Sequence, residues 1–127
     1  MVDLFADTIN KIKVYEAKGF YECDVPSTKL IRSVLELMKA NDYIGNLEEV
    51  KEGRFKKLRI TLSKKINDIG VIKPRYPVTT GMFQKFEERY IPSVHFGILI
   101  VSTSKGIMTN NEAKAKRLGG RLLAYVY

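Results

Sequence analysis

The spacing of apolar residues over the first sixty positions predicts two amphipathic helices and three strands. In two stretches the apolar residues recur every three or four positions, which is the period of a helix with one buried face. Residues 20–25 alternate instead, as a half-buried strand does, and residues 47–50 and 55–62 indicate the two arms of a hairpin. These elements predict an N-terminal lobe over residues 1–63 in the order α-β-α-β-β. The apolar helical positions are Phe5, Ile9 and Ile12, then Leu30, Ile31, Val34, Leu35 and Met38.

The second half of the chain predicts a β-rich lobe with short helices. Residues 81–90 indicate a short helix, and the aliphatic residues within 94–101 indicate a buried strand. Thr109 and Glu112 have the spacing of a capping box, in which the two residues satisfy backbone amides at a helix start. The sequence RLLAYVY, residues 121–127, predicts a closing strand that pairs into this lobe.

Together the two halves predict an α+β fold with two small lobes. The second lobe spans residues 78–127, and a basic segment over residues 64–77 is expected to link it to the first lobe. A chain of 127 residues is long enough to bury a core without disulfides or metals.

Charge adds the first functional signal. The formal net charge is +8, and residues 54–75 hold eight basic residues against one acid, Asp68. A basic stripe of this kind predicts a surface that binds a polyanion. The alternative is a solvated basic surface that only keeps the protein soluble.

Other classes of protein fit the composition poorly. The apolar runs are too short to span a membrane, and the N-terminus lacks the basic region of a secretory signal, so we expect a cytoplasmic protein without membrane contact. The chain has one cysteine, Cys23, and one histidine, His95, which gives little basis for a metal site or a Cys–His dyad. His95 is expected within a strand. We predict no catalytic residue, metal, cofactor or small-molecule substrate.

A polar run at the end of the aliphatic strand carries the most specific candidate chemistry. Ser102, Thr103, Ser104, Lys105 and Gly106 offer three hydroxyls, a cation and a glycine, which suit phosphates, 2′-hydroxyls and base edges. One alternative is a turn whose hydroxyls cap local amides. Another is the S-x-x-K pattern of serine acyltransferases, but that pattern needs the serine at a helix start.

At this run the sequence resembles the C-terminal part of the small-subunit ribosomal protein S8 family. The opening DLFADTINKIK and the stretch VPSTKLIRSVLELMKANDYI resemble the first two helices of that family. INDIGVIKPRYPV and FEERYIPSVHFG resemble its archaeal and eukaryotic branch. The matching C-terminal residues are Gly97, Ser102, Thr103, Ser104, Gly106, Met108, Thr109, Glu112, Ala113, Gly119, Gly120, Tyr125, Val126 and Tyr127.

The resemblance implies a ribosome-bound protein that binds the central domain of small-subunit ribosomal RNA directly and aids its assembly, without enzymatic activity. Neighbouring small-subunit ribosomal proteins are its other expected partners. A translational regulator that binds messenger RNA through the same site is the alternative function.

The resemblance also assigns RNA contacts, with the Ser-Thr-Ser loop as the main RNA-reading element. It assigns them to Ser102, Thr103, Ser104, Gly106, Lys11 and Lys29, while Lys105, Lys73 and Arg75 add positive charge. Two positions depart from the family. Val14 replaces a frequent asparagine, and Arg121 replaces a bacterial glutamate, so Arg121 is expected to meet a phosphate.

Overall fold

Four helices and eight strands form in the described part of the chain, residues 4–73, 75–79, 81–93 and 96–127 of this computed structural model. The chain divides into two units, the first ending at Asn67 and the second beginning at Asp68. The α+β prediction with two lobes is confirmed. The helices are α1 (Leu4–Lys18), α2 (Lys29–Ala40), α3 (Phe83–Tyr90) and α4 (Asn110–Ala115). The strands are β1 (Glu22–Pro26), β2 (Leu47–Glu52), β3 (Phe55–Thr61), β4 (Ile69–Val71), β5 (Pro77–Val78), β6 (Ile98–Thr103), β7 (Gly106–Thr109) and β8 (Gly120–Val126).

The two helices of the first unit form where the apolar period predicts them. The predicted apolar positions of α1 are all buried, and so are those of α2 apart from the half-buried Leu30. The helix α2 begins at Thr28, whose hydroxyl oxygen accepts a hydrogen bond from the Ile31 amide at 3.2 Å. This cap satisfies one of the amides that a helix start leaves without an intrahelical partner.

The sheet of the first unit is antiparallel in the order β1-β3-β2. Leu58 and Ile60 of the middle strand are buried together with Cys23 and Val25 of β1. Since side chains alternate along a strand, the opposite face carries Glu22 and Asp24 of β1 and Lys57 and Arg59 of β3. The predicted hairpin forms, and its two-residue turn lies at residues 53–54, between the paired Glu52 and Phe55.

The second unit is built around β8. This strand pairs with β6 on one side and with β4 and β5 on the other, so the predicted closing strand is confirmed. Its Leu122, Ala124 and Val126 are fully buried. The main core of this unit contains Ile72, Val78, Phe83, Phe86, Ile91, Leu99, Val101, Met108, Ala113 and Leu122.

The structure corrects the expected linker over residues 64–77. Strand β4 and Pro77 of β5 lie inside that segment, and both strands pair with β8. They therefore belong to the second unit, and the division falls after Asn67. Strands of three and two residues are too short to show an alternating pattern, which is why the sequence gives no signal for them.

The remaining elements of the second unit also differ from the expectations in their bounds. The helix expected over 81–90 is α3, Phe83–Tyr90, and the strand expected over 94–101 is β6, Ile98–Thr103. Residues 94 and 95, including His95, lie outside the described residues. The capping box is confirmed because the Thr109 hydroxyl accepts from the Glu112 amide at 3.2 Å. Strand β7 has no counterpart among the predicted elements.

A buried polar cluster joins α3 to α4. Glu87 is only 2% exposed, and both of its carboxylate oxygens lie 2.7 Å from the Lys114 ammonium nitrogen. The fully buried Asn110 donates to Glu87 through Nδ2 and accepts from the Leu99 amide through Oδ1, at 3.1 Å. The cluster therefore links both helices to β6, and the hydrogen bonds of Asn110 within it are buried.

Candidate nucleic-acid interface

The polar run of the sequence forms the tip of a tight β-hairpin. Thr103, the last residue of β6, pairs with Gly106, the first residue of β7, so Ser104 and Lys105 form a two-residue turn. Both turn residues are exposed. Gly106 has φ +117°, a backbone conformation that glycine adopts without the steric cost other residues face. The paired strands β6 and β7 therefore anchor this turn at both of its ends.

The three hydroxyls of the run are in different situations. Thr103 Oγ1 donates to the Gly106 carbonyl at 2.8 Å and accepts from the Lys105 amide at 3.1 Å, so it closes the turn. The capped-turn interpretation therefore holds for this hydroxyl. Within the described residues, the hydroxyls of Ser102 and Ser104 make no hydrogen bond to protein. Ser102 is half-buried in β6 and Ser104 is exposed in the turn.

The register of the sheet places an arginine beside Ser102. Ser102 pairs with Ile107 of β7 on one side and with Arg121 of β8 on the other, and Arg121 in turn pairs with Pro77 of β5. Residues directly opposite one another in antiparallel strands project from the same face. We call Ile107, Ser102, Arg121 and Pro77 the strand-end row. The sequence alone does not reveal this row, because no pattern in it specifies the register between distant strands.

Arg75, in the segment between β4 and β5, lies next to this row. Arg121 Nη1 donates to the backbone carbonyl of Arg75 at 3.3 Å, which holds the Arg75 backbone close to the exposed Arg121 side chain. Lys73 and Arg75 are both exposed. The structure therefore brings Arg75 and Arg121, which are 46 residues apart, together with Ser102.

The approach of β8 to β6 depends on Gly120. A Cβ atom added at Gly120 would overlap the backbone carbonyl oxygen of Ser102, and one added at Gly119 would lie 2.6 Å from the carbonyl oxygen of Val78. Both obstacles are backbone atoms, which cannot turn aside as a flexible side chain does. These glycines therefore permit the close pairing that completes the strand-end row.

We expect Gly120→Ala to destabilise the second unit by about 1–3 kcal/mol, since the added methyl group must displace the backbone of β6. Urea unfolding followed by circular dichroism measures the loss. The matched control is Gly81→Ala, where the added carbon has no heavy atom within 4 Å and φ is not positive. Equal stabilities of the two variants would show that β6 yields to the methyl group without cost.

The two remaining predicted contacts, Lys11 and Lys29, belong to the first unit. Lys29 is exposed at the start of α2. Lys11 is half-buried, and its ammonium group donates to the Asp24 carbonyl at 2.5 Å and lies 5.4 Å from the centre of the Tyr15 ring. Asp24 is on β1, an edge strand, so Lys11 covers a backbone acceptor that the sheet leaves unpaired.

Part of the basic segment 54–75 is neutralised within the first unit. Arg59 donates to both carboxylate oxygens of Asp24, at 2.9 and 3.4 Å, and Lys56 lies 3.6 Å from a carboxylate oxygen of Glu49. The hydrogen bond from Arg59 holds the pKa of the Asp24 carboxyl below its usual value. The segment is therefore less cationic towards solvent than its sequence indicates.

The alternative chemistries gain no support from the geometry. Ser102 lies in a strand and Lys105 in a turn, so the S-x-x-K residues are not one helical turn apart. Cys23 is buried, and burial raises the pKa of its thiol, which disfavours the reactive thiolate. Among the described residues, no group of three or more histidine, cysteine, aspartate or glutamate residues could hold a metal ion. In the same part of the chain, no helix has the length and apolarity to cross a membrane.

A basic α+β protein that presents unpartnered hydroxyls beside an arginine at the end of a sheet has the features of a nucleic-acid-binding protein. The family model described as ribosomal protein S8 matches residues 3–127 of the chain. The chain therefore belongs to the ribosomal protein S8 family, whose members are structural proteins of the small ribosomal subunit and not enzymes. The resemblance found in the sequence is confirmed, while the archaeal and eukaryotic branch stays a prediction.

Proposed function

We propose that this protein binds the central domain of small-subunit ribosomal RNA directly, in the cytoplasm, and aids the assembly of that domain beside neighbouring ribosomal proteins. The observation that carries the proposal is that the hydroxyls of Ser102 and Ser104 have no hydrogen-bond partner among the described residues, and that Ser102 lies opposite Arg121 at the end of a sheet. Family membership supplies the class of RNA.

The hydroxyls supply hydrogen bonds that fit the local shape of the RNA. Each can donate one hydrogen bond and accept two, so Ser102 and Ser104 can bond to 2′-hydroxyls, phosphate oxygens or base edges of an irregular RNA helix. The hairpin is already closed by Thr103 Oγ1, so RNA binding does not have to order the turn. A preorganised turn loses less conformational entropy on binding than a flexible loop does.

The cations supply electrostatic attraction to the RNA phosphates. Lys105 lies in the exposed turn, and Arg121 presents a planar guanidinium that suits a phosphate. Lys73 and Arg75 add charge from the β4–β5 segment, while Lys11 and Lys29 are the candidate contacts of the first unit. Gly106, which has no side chain, leaves the backbone beside the turn open to RNA.

We expect the loss of a hydroxyl and the loss of a cation to affect RNA binding differently. Ser104→Ala removes a hydrogen-bonding group without changing charge, so it should weaken binding to a central-domain fragment by about 1–3 kcal/mol if an RNA group is left unpaired. Binding to a scrambled RNA and the dependence on salt should stay as in the wild type. Filter-binding titrations on both RNAs measure this, with Ser93→Ala as a control at an exposed serine outside the hairpin.

Arg121→Ala forms the second arm of the same experiment. It should weaken binding to both RNAs and reduce the slope of log affinity against log salt by about one unit. Equal losses for Ser104→Ala on the cognate and scrambled RNAs would contradict the division of roles. No loss on either RNA, with a lowered melting temperature, would favour a purely structural turn.

The cellular ligand is tested by sedimentation. We expect a tagged protein to sediment with small ribosomal subunits through a sucrose gradient, together with stoichiometric ribosomal RNA. Recovery of a spread of messenger RNAs without small subunits would replace this proposal with translational regulation.

A further inference from the structure

The first unit carries an exposed phenylalanine at the tip of its own hairpin. Phe55 begins β3 directly after the turn of residues 53–54, and it is 77% exposed, the highest value among the large hydrophobic residues described. It lies on the face of the sheet opposite to the buried Leu58 and Ile60. An aromatic ring this exposed gains little stability from the fold, so its face is accessible to a ligand.

The hairpin that holds Phe55 carries an excess of positive charge, although the residue paired directly with Phe55 is the acidic Glu52. Lys51 and Lys56 pair directly across the hairpin, and like charges in such positions destabilise a sheet. Residues 51–57 contain four basic residues, Lys51, Arg54, Lys56 and Lys57, against one acid, Glu52. Lys56 lies 3.6 Å from a carboxylate oxygen of Glu49, and because its own side chain is 58% exposed, a phosphate can compete with this pair at little cost. Lys57, whose side chain is 36% exposed, lies 3.9 Å from a carboxylate oxygen of Asp24.

A groove runs from Phe55 to the edge strand β1. Its volume is about 580 Å³, and its lining contains Phe55, Val25 and Pro26 together with three lysines and one carboxylate, from Lys11, Lys56, Lys57 and Asp24. An exposed aromatic ring beside a groove with three ammonium groups and one carboxylate, which leaves a net positive charge, complements a nucleobase with its flanking phosphates. A protein partner would need an acidic segment that also provides a matching apolar side chain.

We propose that this hairpin patch, formed by Phe55, Lys56, Lys57 and Pro26, binds an unpaired RNA nucleobase by stacking on Phe55. The lysines contact the phosphates on either side of that base. Aromatic rings on sheet surfaces stack with bases of any sequence, because every base has a π-face. This proposal depends on the proposed function in one respect, namely that the ligand is RNA. The residues of the patch belong to the first unit, and none of them is part of the strand-end row.

The test is binding of fluorescent oligouridine, a single-stranded probe that lacks the structure of the central domain. Phe55→Leu keeps an apolar side chain but removes the ring, and we expect it to weaken binding about tenfold, within the range reported for loss of one stacked base. Phe55→Tyr should bind as the wild type does. Phe96→Leu is the control, since Phe96 is an exposed phenylalanine as well but lies in the second unit.

Photocrosslinking gives a second readout. Oligouridine that contains 5-iodouridine should crosslink to the peptide that holds Phe55. Wild-type affinity in Phe55→Leu, or crosslinks confined to other peptides, would overturn the proposal. A loss in Phe55→Ala that Phe55→Leu fully restores would also overturn it, since it would show a general apolar contact and no stacking.

The proposed function can fail separately. Suppose that the protein fails to bind the central-domain fragment while oligouridine binding still depends on the Phe55 ring. In that case the ribosomal RNA assignment is wrong, and the proposal that Phe55 stacks on a base still holds.

Discussion

Deletion of Ala124–Tyr127 will unfold the second unit and leave the first unit folded. The deletion removes the end of β8, where Val126 pairs with both Ile69 and Ile98, and where Ala124 and Val126 have no exposed surface. Burial of a single valine or leucine side chain stabilises a fold by about 1.5–3 kcal/mol. With the lost strand pairing on both sides, the expected cost is on the order of 5 kcal/mol or more, comparable to the whole stability of a small domain.

Amide NMR spectra provide the measurement. Dispersed resonances from the second unit should disappear, while those from the first unit should keep their positions. Tyr127→Phe is the control, because it removes only a hydroxyl that lies 3.5 Å from a carboxylate oxygen of Asp68. A native spectrum for the truncated protein would show that β6 and β4 do not depend on the end of β8.

The second large effect is expected at the cluster between α3 and α4. Lys114→Met should destabilise the protein by about 3 kcal/mol, since it leaves the buried carboxylate of Glu87 without its cation. We use the lower end of the range for a broken buried pair because the Lys114 side chain is 34% exposed. Water can therefore reach the site and partly solvate the carboxylate when the lysine is absent. Chemical denaturation measures the loss.

A double variant separates the lost cation from lost packing. Glu87→Gln combined with Lys114→Met removes both charges but keeps an oxygen that can accept from Asn110, so most of the lost stability should return. Lys116→Met, at an exposed position just after α4, should change stability by less than about 0.5 kcal/mol. If the double variant is no more stable than Lys114→Met, charge imbalance is not the cause.

Elements with a clear period could be predicted from the sequence. The apolar faces of α1 and α2 contain enough turns to show a helical repeat, and the hairpin of β2 and β3 has a glycine at its turn. The capping box at Thr109 is likewise a local signal, since both of its residues lie within one helical turn.

Features that depend on distant pairing could not be predicted. Glu87 lies in the charged sequence FQKFEERY, which is typical of a solvent-exposed helix, and it is buried only because Lys114 and Asn110 approach from later in the chain. The place of Arg121 beside Ser102 depends on the register of β8 against β6, which shifts by one residue at Ile100 and Val101. The residues of the candidate turn were visible in sequence, but their neighbours were not.

The position of β8 in the chain sets the order in which the protein can fold during synthesis. The first unit has all of its strands once Asn67 has been made, whereas β4, β5 and β6 are synthesised before the strand that joins them. Domains fold as units during translation, so a nascent chain that stops before Gly120 has one folded unit and an unfinished sheet. Such a chain also lacks Arg121 and the support of β6 that the strand-end row requires. An incomplete translation product would therefore compete poorly with the complete protein for the same RNA.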